Sequence, residues 1–163
     1  MPPLQRALDL RPDLAERFAA YYGQLWSDRL VDPVLLELCR LRIAQLLGDA
    51  EQQMLRYRPA LEAGLTEDKI RALAQYPSSP MYSDHERTCL GYAEQYLMDV
   101  HSITDADADR VKEQMTEPEF VAFTVALGLL EGVGRFRLML GLSDERLEHP
   151  LVIDPPAPGA PVP

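Results

Sequence analysis

Cysteine is nearly absent from this sequence, which removes much of the chemistry a small helical protein could carry. Only Cys39 and Cys89 occur, at a spacing that fits no thiol-redox or metal motif. A bridge between them is open on the sequence, but 163 residues are enough to bury a core without one. Basic side chains are also few: 16 Lys and Arg stand against 26 Asp and Glu, for a net charge of -10. An acidic surface repels phosphate backbones and anionic lipid, so neither nucleic acid nor a membrane is an expected partner. Long apolar runs are missing. The longest, from Phe120 to Leu130, is interrupted by Thr124 and closed by Glu131, well short of the ~20 residues of a membrane span. The opening Met1-Pro2-Pro3-Leu4-Gln5-Arg6 lacks the apolar segment of a leader. Alternating strand patterns and internal repeats are absent too. These absences lead us to expect a cytoplasmic chain with no cofactor and no metal.

What is present is helical. Leu14, Phe18, Tyr21, Tyr22, Leu25 and Trp26 recur at helical spacing in a segment predicted from Pro12 to about Leu30. Asp32 followed by Pro33 is a cap with a proline at the first helical position. The helix they start carries Val34, Leu38, Leu41, Leu46 and Leu47 and should close on a left-handed Gly48. The next helix is read from about Ala50 to Ala63, with a kink or break near Tyr57 or Arg58 because Pro59 lies inside it. Gly64 ends it, and Thr66 caps a short successor with Glu67 and Asp68 in its first turn. Ser83 with Glu86 forms a capping box for a helix reaching about His101. Thr104 caps another, and Thr116 with Glu119 opens the last, about Glu117 to Leu140, ended by Gly141. Its three glycines, Gly128, Gly132 and Gly134, point to close helix approach or to room for a ligand. Seven helices joined by short loops predict an all-α bundle. Residues 1–148 form that unit, and the proline-rich 149–163 reads as a flexible or extended tail.

The run Glu37-Leu38-x-x-Leu41-Arg42-x-Ala44-Gln45-Leu46-x-Gly48, then a helix, then Ala63-Gly64-Leu65-Thr66-x-x-x-Ile70, resembles the carboxymuconolactone decarboxylase family, which includes the alkylhydroperoxidase D proteins. The far end is also similar, from Glu117-x-Glu119-Phe120-Val121 through Gly134-Arg135-Phe136 to Leu140-Gly141. The resemblance covers about residues 10 to 142. It implies an alkylhydroperoxidase D-like all-α bundle built as a homo-oligomer, a trimer, hexamer or dimer, with the motif helices near subunit contacts.

Position by position, the peroxidase branch would place its glutamate at Glu37, its two thiols at Asp49 and Gln52, and its histidine at Arg56. Glu51 falls where some members carry another histidine. Carboxylate and amide cannot perform thiolate exchange, so dithiol peroxidase activity is not expected. The lactone branch matches a glutamate at Glu51 and a histidine at Arg56. The glutamate is kept, but a guanidinium does not shuttle protons at neutral pH. A helix through this region would put Asp49, Gln52 and Arg56 on one face, with Glu37 approaching from the preceding helix.

Two readings follow. In one, Arg56 binds the carboxylate of a small organic acid bidentately, Gln52 and Tyr57 line the pocket, and Glu37, Asp49 or Glu51 moves a proton in a thiol-independent lyase or isomerase. In the other, Arg56 only neutralises Glu37 or Asp49, and the chain is a non-catalytic binding or assembly protein. A cavity of a few hundred cubic ångströms would mark the first, and a filled site the second. Elsewhere, His101 fits a helix end, Cys39 fits the core, and Arg135 is placed to pair with Glu131 or to reach the Glu37 region. Asp105-x-Asp107-x-Asp109 departs from a calcium loop at Arg110 and Thr116.

Overall fold

A computed structural model describes residues 3–142 and 147–157. Among these the chain is mainly α-helical: α1 (Pro3–Leu8), α2 (Pro12–Ser27), α3 (Pro33–Leu47), α4 (Ala50–Met54), α5 (Arg58–Glu62), α6 (Glu67–Arg71), α7 (Asp84–Met98), α8 (Asp105–Lys112) and α9 (Glu117–Met139). Two three-residue strands, β1 (Leu55–Tyr57) and β2 (Leu151–Ile153), complete it. No described helix is long and apolar enough to cross a membrane.

The centre is α3. Leu35 through Leu41 are buried without interruption, as are Ile43 and Ala44. A helix covered on every side belongs in the middle of a core, and α3 packs on α7 and α9. Leu36, Leu38, Cys39 and Leu41 share one cluster with Cys89, Leu90, Phe123 and Leu127. Because Glu37 and Arg40 lie within that buried stretch, their charges must be resolved inside the protein.

Helix ends follow the local signals. Asp32 accepts from Leu35 N–H at 3.0 Å, and Gly48 terminates α3 at φ 72°. Both expected capping boxes form, and Thr104 with Asp107 makes a third. Two helices stop short of their predicted ends. α2 closes at Ser27, and α7 closes at Met98, where Asp99 leaves helical geometry and caps a turn that holds His101. The glycines of α9 divide. A Cβ on Gly134 would press on Leu47 and one on Gly128 on Tyr96, whereas one on Gly132 meets nothing within 4 Å among the described residues.

The largest departure follows α4. The predicted helix from Ala50 to Ala63 is broken, as Pro59 requires, but the gap is extended rather than kinked. Leu55–Tyr57 forms β1, which pairs in parallel with Leu151–Ile153. Proline at 59 has no N–H to donate and would clash with the carbonyl four residues back. The Leu55 carbonyl is thereby left to other donors. Part of the stretch read as a flexible tail is thus docked. Beyond β2, Asp154 pairs with Arg58 at 2.7 Å, and buried Pro156 lies so close to α2 that a methyl group on Gly23 would collide with its carbonyl. Residues 158–163 of that tail lie outside the described residues.

Candidate functional site

Two buried ion-pair clusters occupy the region where the sequence places its candidates. The first is on α3. Glu37 is fully buried, and Arg40, one turn on, grips its carboxylate through Nε at 2.7 Å and Nη2 at 2.8 Å. Tyr57 N–H donates to the same carboxylate at 3.1 Å. Arg40 Nη1 donates to the Gln52 carbonyl and side-chain oxygens, each at 3.0 Å, and Nη2 reaches the freed Leu55 carbonyl at 2.8 Å. Every nitrogen of this fork has an acceptor. The guanidinium sits 5.0 Å from the Tyr57 ring centroid, and Trp26 stacks on that ring at 4.4 Å. Burial works against the charge of Arg40, but Glu37 overrides it and raises its pKa. The Tyr57 phenol is pushed up by burial, with Tyr22 adding to the effect, so it does not ionise.

The second cluster joins α4 to α9. Asp49 caps α4 by accepting from Gln52 N–H at 3.1 Å, and its other oxygen takes Arg137 Nε at 2.9 Å. Glu51 binds Arg137 Nη2, which also donates to the Leu142 carbonyl at 3.2 Å. Arg137 is fully buried. Desolvation opposes its charge, yet Asp49 and then Glu51 prevail and raise its pKa. Its Nη1 is the exception in this network: buried, with no hydrogen-bond partner among the described residues. Between the clusters lies a cavity of about 20 Å³ bordered by Tyr22, Arg40, Asp49, Gln52, Gly134 and Arg137, room for a water-sized group.

Arg56 is elsewhere, and this corrects the expected site. The helical repeat that would align Asp49, Gln52 and Arg56 ends at Met54, and in an extended strand the side chains alternate instead. Arg56 turns to Glu67, with Nε at 2.8 Å and Nη2 at 3.2 Å. Its Nη1 takes the Gln53 and Leu55 carbonyls at 2.7 and 2.9 Å, which caps the end of α4. Glu37 and Gln52 meet at Arg40, Asp49 and Glu51 meet at Arg137, and Tyr57 supplies an N–H and a ring face.

Sequence reasoning missed both partners, although signals existed. Arg40 lies three residues after Glu37 on one helix. Arg137 continues the inward stripe of Phe123, Ala126, Leu127 and Leu130, a place where an arginine needs carboxylates. Arg135, singled out instead, pairs with Glu131 at 2.8 Å and reaches the Leu97 carbonyl at 3.3 Å.

Neither thiol belongs to this region's chemistry. Both cysteines are free and buried. Burial pushes Cys89 up to about 12, helped by Glu86, despite His85 Nδ1 at 3.8 Å. Burial also raises Cys39, and Cys89 adds to it. Folded thiols that stay neutral contribute stability that is complete below their unfolded pKa of about 8.5 and is lost as pH rises toward the folded value. We therefore expect stability to fall from about pH 9 upward in urea titrations, with a shallower fall in Cys39→Ala/Cys89→Ala. An aromatic disulfide reagent should find no thiol in the native protein at pH 8 and two in denaturant. Rapid native labelling would contradict the burial argument.

Residues 12–95 match the carboxymuconolactone decarboxylase family, a span of more than half the chain. This chain belongs to the carboxymuconolactone decarboxylase family. It is also similar to the uncharacterized protein YnjA of Escherichia coli (strain K12), 29% identical over 126 residues that cover 75% of this chain and 69% of that one. Within the family match lie Glu37, Arg40 and all of α4. α9 lies beyond it, so Arg137, which clamps the two α4 carboxylates, comes from outside the matched residues.

Proposed function

We propose that this carboxymuconolactone decarboxylase family member is a non-catalytic binding or assembly protein, its former reactive centre now holding the fold together. One observation carries the reading: the acidic groups at the centre are engaged by Arg40 and Arg137, and only about 20 Å³ is left between them. Glu37 is gripped by the fully satisfied fork of Arg40, and Asp49 and Glu51 are paired to Arg137, so none of them can bind or deprotonate a substrate without breaking a buried pair. The test is a panel of small lactones, carboxylic acids and hydroperoxides, followed by product analysis and thermal shift. No turnover of any compound, whether or not one shifts the melting temperature, is the expected result. Turnover that disappears in Asp49→Asn would reverse the assignment.

A second reading, a thiol-independent lyase or isomerase, is favoured by Arg137 Nη1. This buried donor meets no acceptor among the described residues and belongs to a residue bordering the cavity. Asp49 and Glu51 outnumber Arg137 by one formal charge, which disfavours an organic anion and leaves a neutral carbonyl compound, for which the cavity of about 20 Å³ would have to widen. Arg137 would polarise the carbonyl oxygen and Asp49, which borders the same cavity, would take the proton. In the panel, this reading requires neutral carbonyl compounds to outperform acids.

A further inference from the structure

We propose that the hollow between α2 and the docked C-terminal segment is a binding site for a small uncharged ring compound that carries a carbonyl group. This hollow shares no lining residue with the central cavity. The inference therefore goes beyond the reading above and stands whichever role the centre has.

The hollow follows from side-chain size. Ala20, Gly23, Gln24 and Ser27 fall at steps of three and four along α2, so they share one face. Three of the four are small, and the segment after β2 does not close on them completely. It touches down at Pro156, whose carbonyl comes so near Gly23 that any Cβ there would collide with it. Around that contact about 330 Å³ stays open, bounded by α2, by Pro59 and by Pro155 to Ala157. This lies at the lower end of small-molecule sites.

Two observations define the occupant. One donor in the wall is left over. Trp26 lines the hollow and is only 3% exposed, and its indole Nε1 meets no acceptor among the described residues. The other lining side chains with donors are engaged: Gln24 binds Asp28, and the Ser27 hydroxyl donates to the Gln24 carbonyl at 3.3 Å. A buried N–H without a partner is unfavourable, and a ligand carbonyl oxygen would satisfy it. The second observation is the absence of charge. Among the described residues no ionisable side chain lines the hollow, so an ion entering it would lose hydration without a counter-charge. The ligand is therefore neutral. Proline and alanine supply an apolar wall, and the indole is held in place by stacking on Tyr57 at 4.4 Å, a surface suited to a ring.

The outer wall also provides a way in. Residues 155–157 are tied down through β2, three residues long, and through the Arg58–Asp154 pair, whose side chains are both exposed. A solvated pair of this kind holds weakly. The segment can lift while Tyr22 and Trp26 keep α2 anchored in the core. In its docked position it stands in the way of a folded partner, which leaves a small molecule as the occupant.

The chain has one tryptophan, so a single indole N–H signal in proton–nitrogen correlation spectra reports on the site. The full chain is titrated with acetophenone, with ethylbenzene, which has the same carbon skeleton and no acceptor, and with benzoate, which is charged. Acetophenone should move the indole signal downfield and saturably, together with the backbone signals of Gly23 and Ala157. Its dissociation constant should be at least about tenfold below those of ethylbenzene and benzoate, the difference one buried hydrogen bond makes. Ala20→Leu, at a half-buried position, fills the hollow and should weaken acetophenone at least about tenfold with an undiminished melting temperature. Trp26→Phe keeps a ring and removes the donor, so acetophenone and ethylbenzene should then bind within about twofold of each other. No saturable shift, equal binding of the three probes by the unaltered chain, or binding indifferent to Ala20→Leu overturns the proposal. So does a preference for acetophenone that survives Trp26→Phe. A response confined to the signal of Gly134, which borders the central cavity, also overturns it and speaks instead for the second reading of the centre.

Discussion

Arg137→Met is expected to destabilise the protein by about 3–5 kcal/mol, the usual loss when one partner is removed from a buried charge cluster. The methionine would fill most of the arginine's volume, so the loss reports electrostatics more than packing. Asp49 would keep its capping bond to Gln52 N–H, but Glu51 would lose the partner its carboxylate has among the described residues. Two like charges would then face each other across a site with little water. Adding Asp49→Asn and Glu51→Gln to Arg137→Met should recover most of the loss, because neutral groups need no counter-charge. Urea unfolding midpoints at neutral pH decide the matter. A single-mutant loss below about 1 kcal/mol would put the Arg137 cluster among solvated pairs and remove its claim to be structural.

The second large effect is expected at Glu37. Glu37→Leu strands the Arg40 guanidinium in the core, again at about 3–5 kcal/mol. Glu37→Leu/Arg40→Met should be close to wild type or above it, since well-packed apolar replacements of buried pairs are often neutral or stabilising. Arg40→Lys separates charge from geometry. Lysine keeps the cation but cannot serve the carboxylate, the two Gln52 oxygens and the Leu55 carbonyl together. A loss of about 1–3 kcal/mol is expected from the acceptors left unpaired. If lysine performs as well as arginine, the fork is not what joins α3 to α4 and β1.

On the proposed reading, these two clusters explain how the family's central positions keep their polar character in a structural role. With carboxylate and amide at positions 49 and 52, the helix still presents acceptors to the interior. Arg40 from α3 and Arg137 from α9 answer them. The same groups that would have to be free for catalysis tie three helices and β1 into one unit. That is why the proposed reading and the stability predictions stand or fall on the same residues, though they are measured separately.

Local signals in the sequence by themselves determined the helices from α2 onward and most of their ends, although α1 was not read and α4 and α5 were read as one broken helix. Asp32 with Pro33, the Ser83 and Thr116 boxes, and Gly48 each act within three or four residues, so no distant contact was needed to read them. The break at Pro59 was equally legible, because a missing donor is a property of the residue. The sequence also determined the family, and it showed that sulfur is absent from positions 49 and 52. Only the tertiary structure decided which cation meets which anion. Arg137 and Asp49 lie 88 residues apart, and their meeting depends on how α9 crosses α4. Arg56 was turned away from Glu37 by a three-residue strand that exists because the chain's own C-terminal segment comes back to pair with it. Charge pairing between distant segments is settled by packing, and the apolar side chains that direct packing carry no label for the ions they bring together.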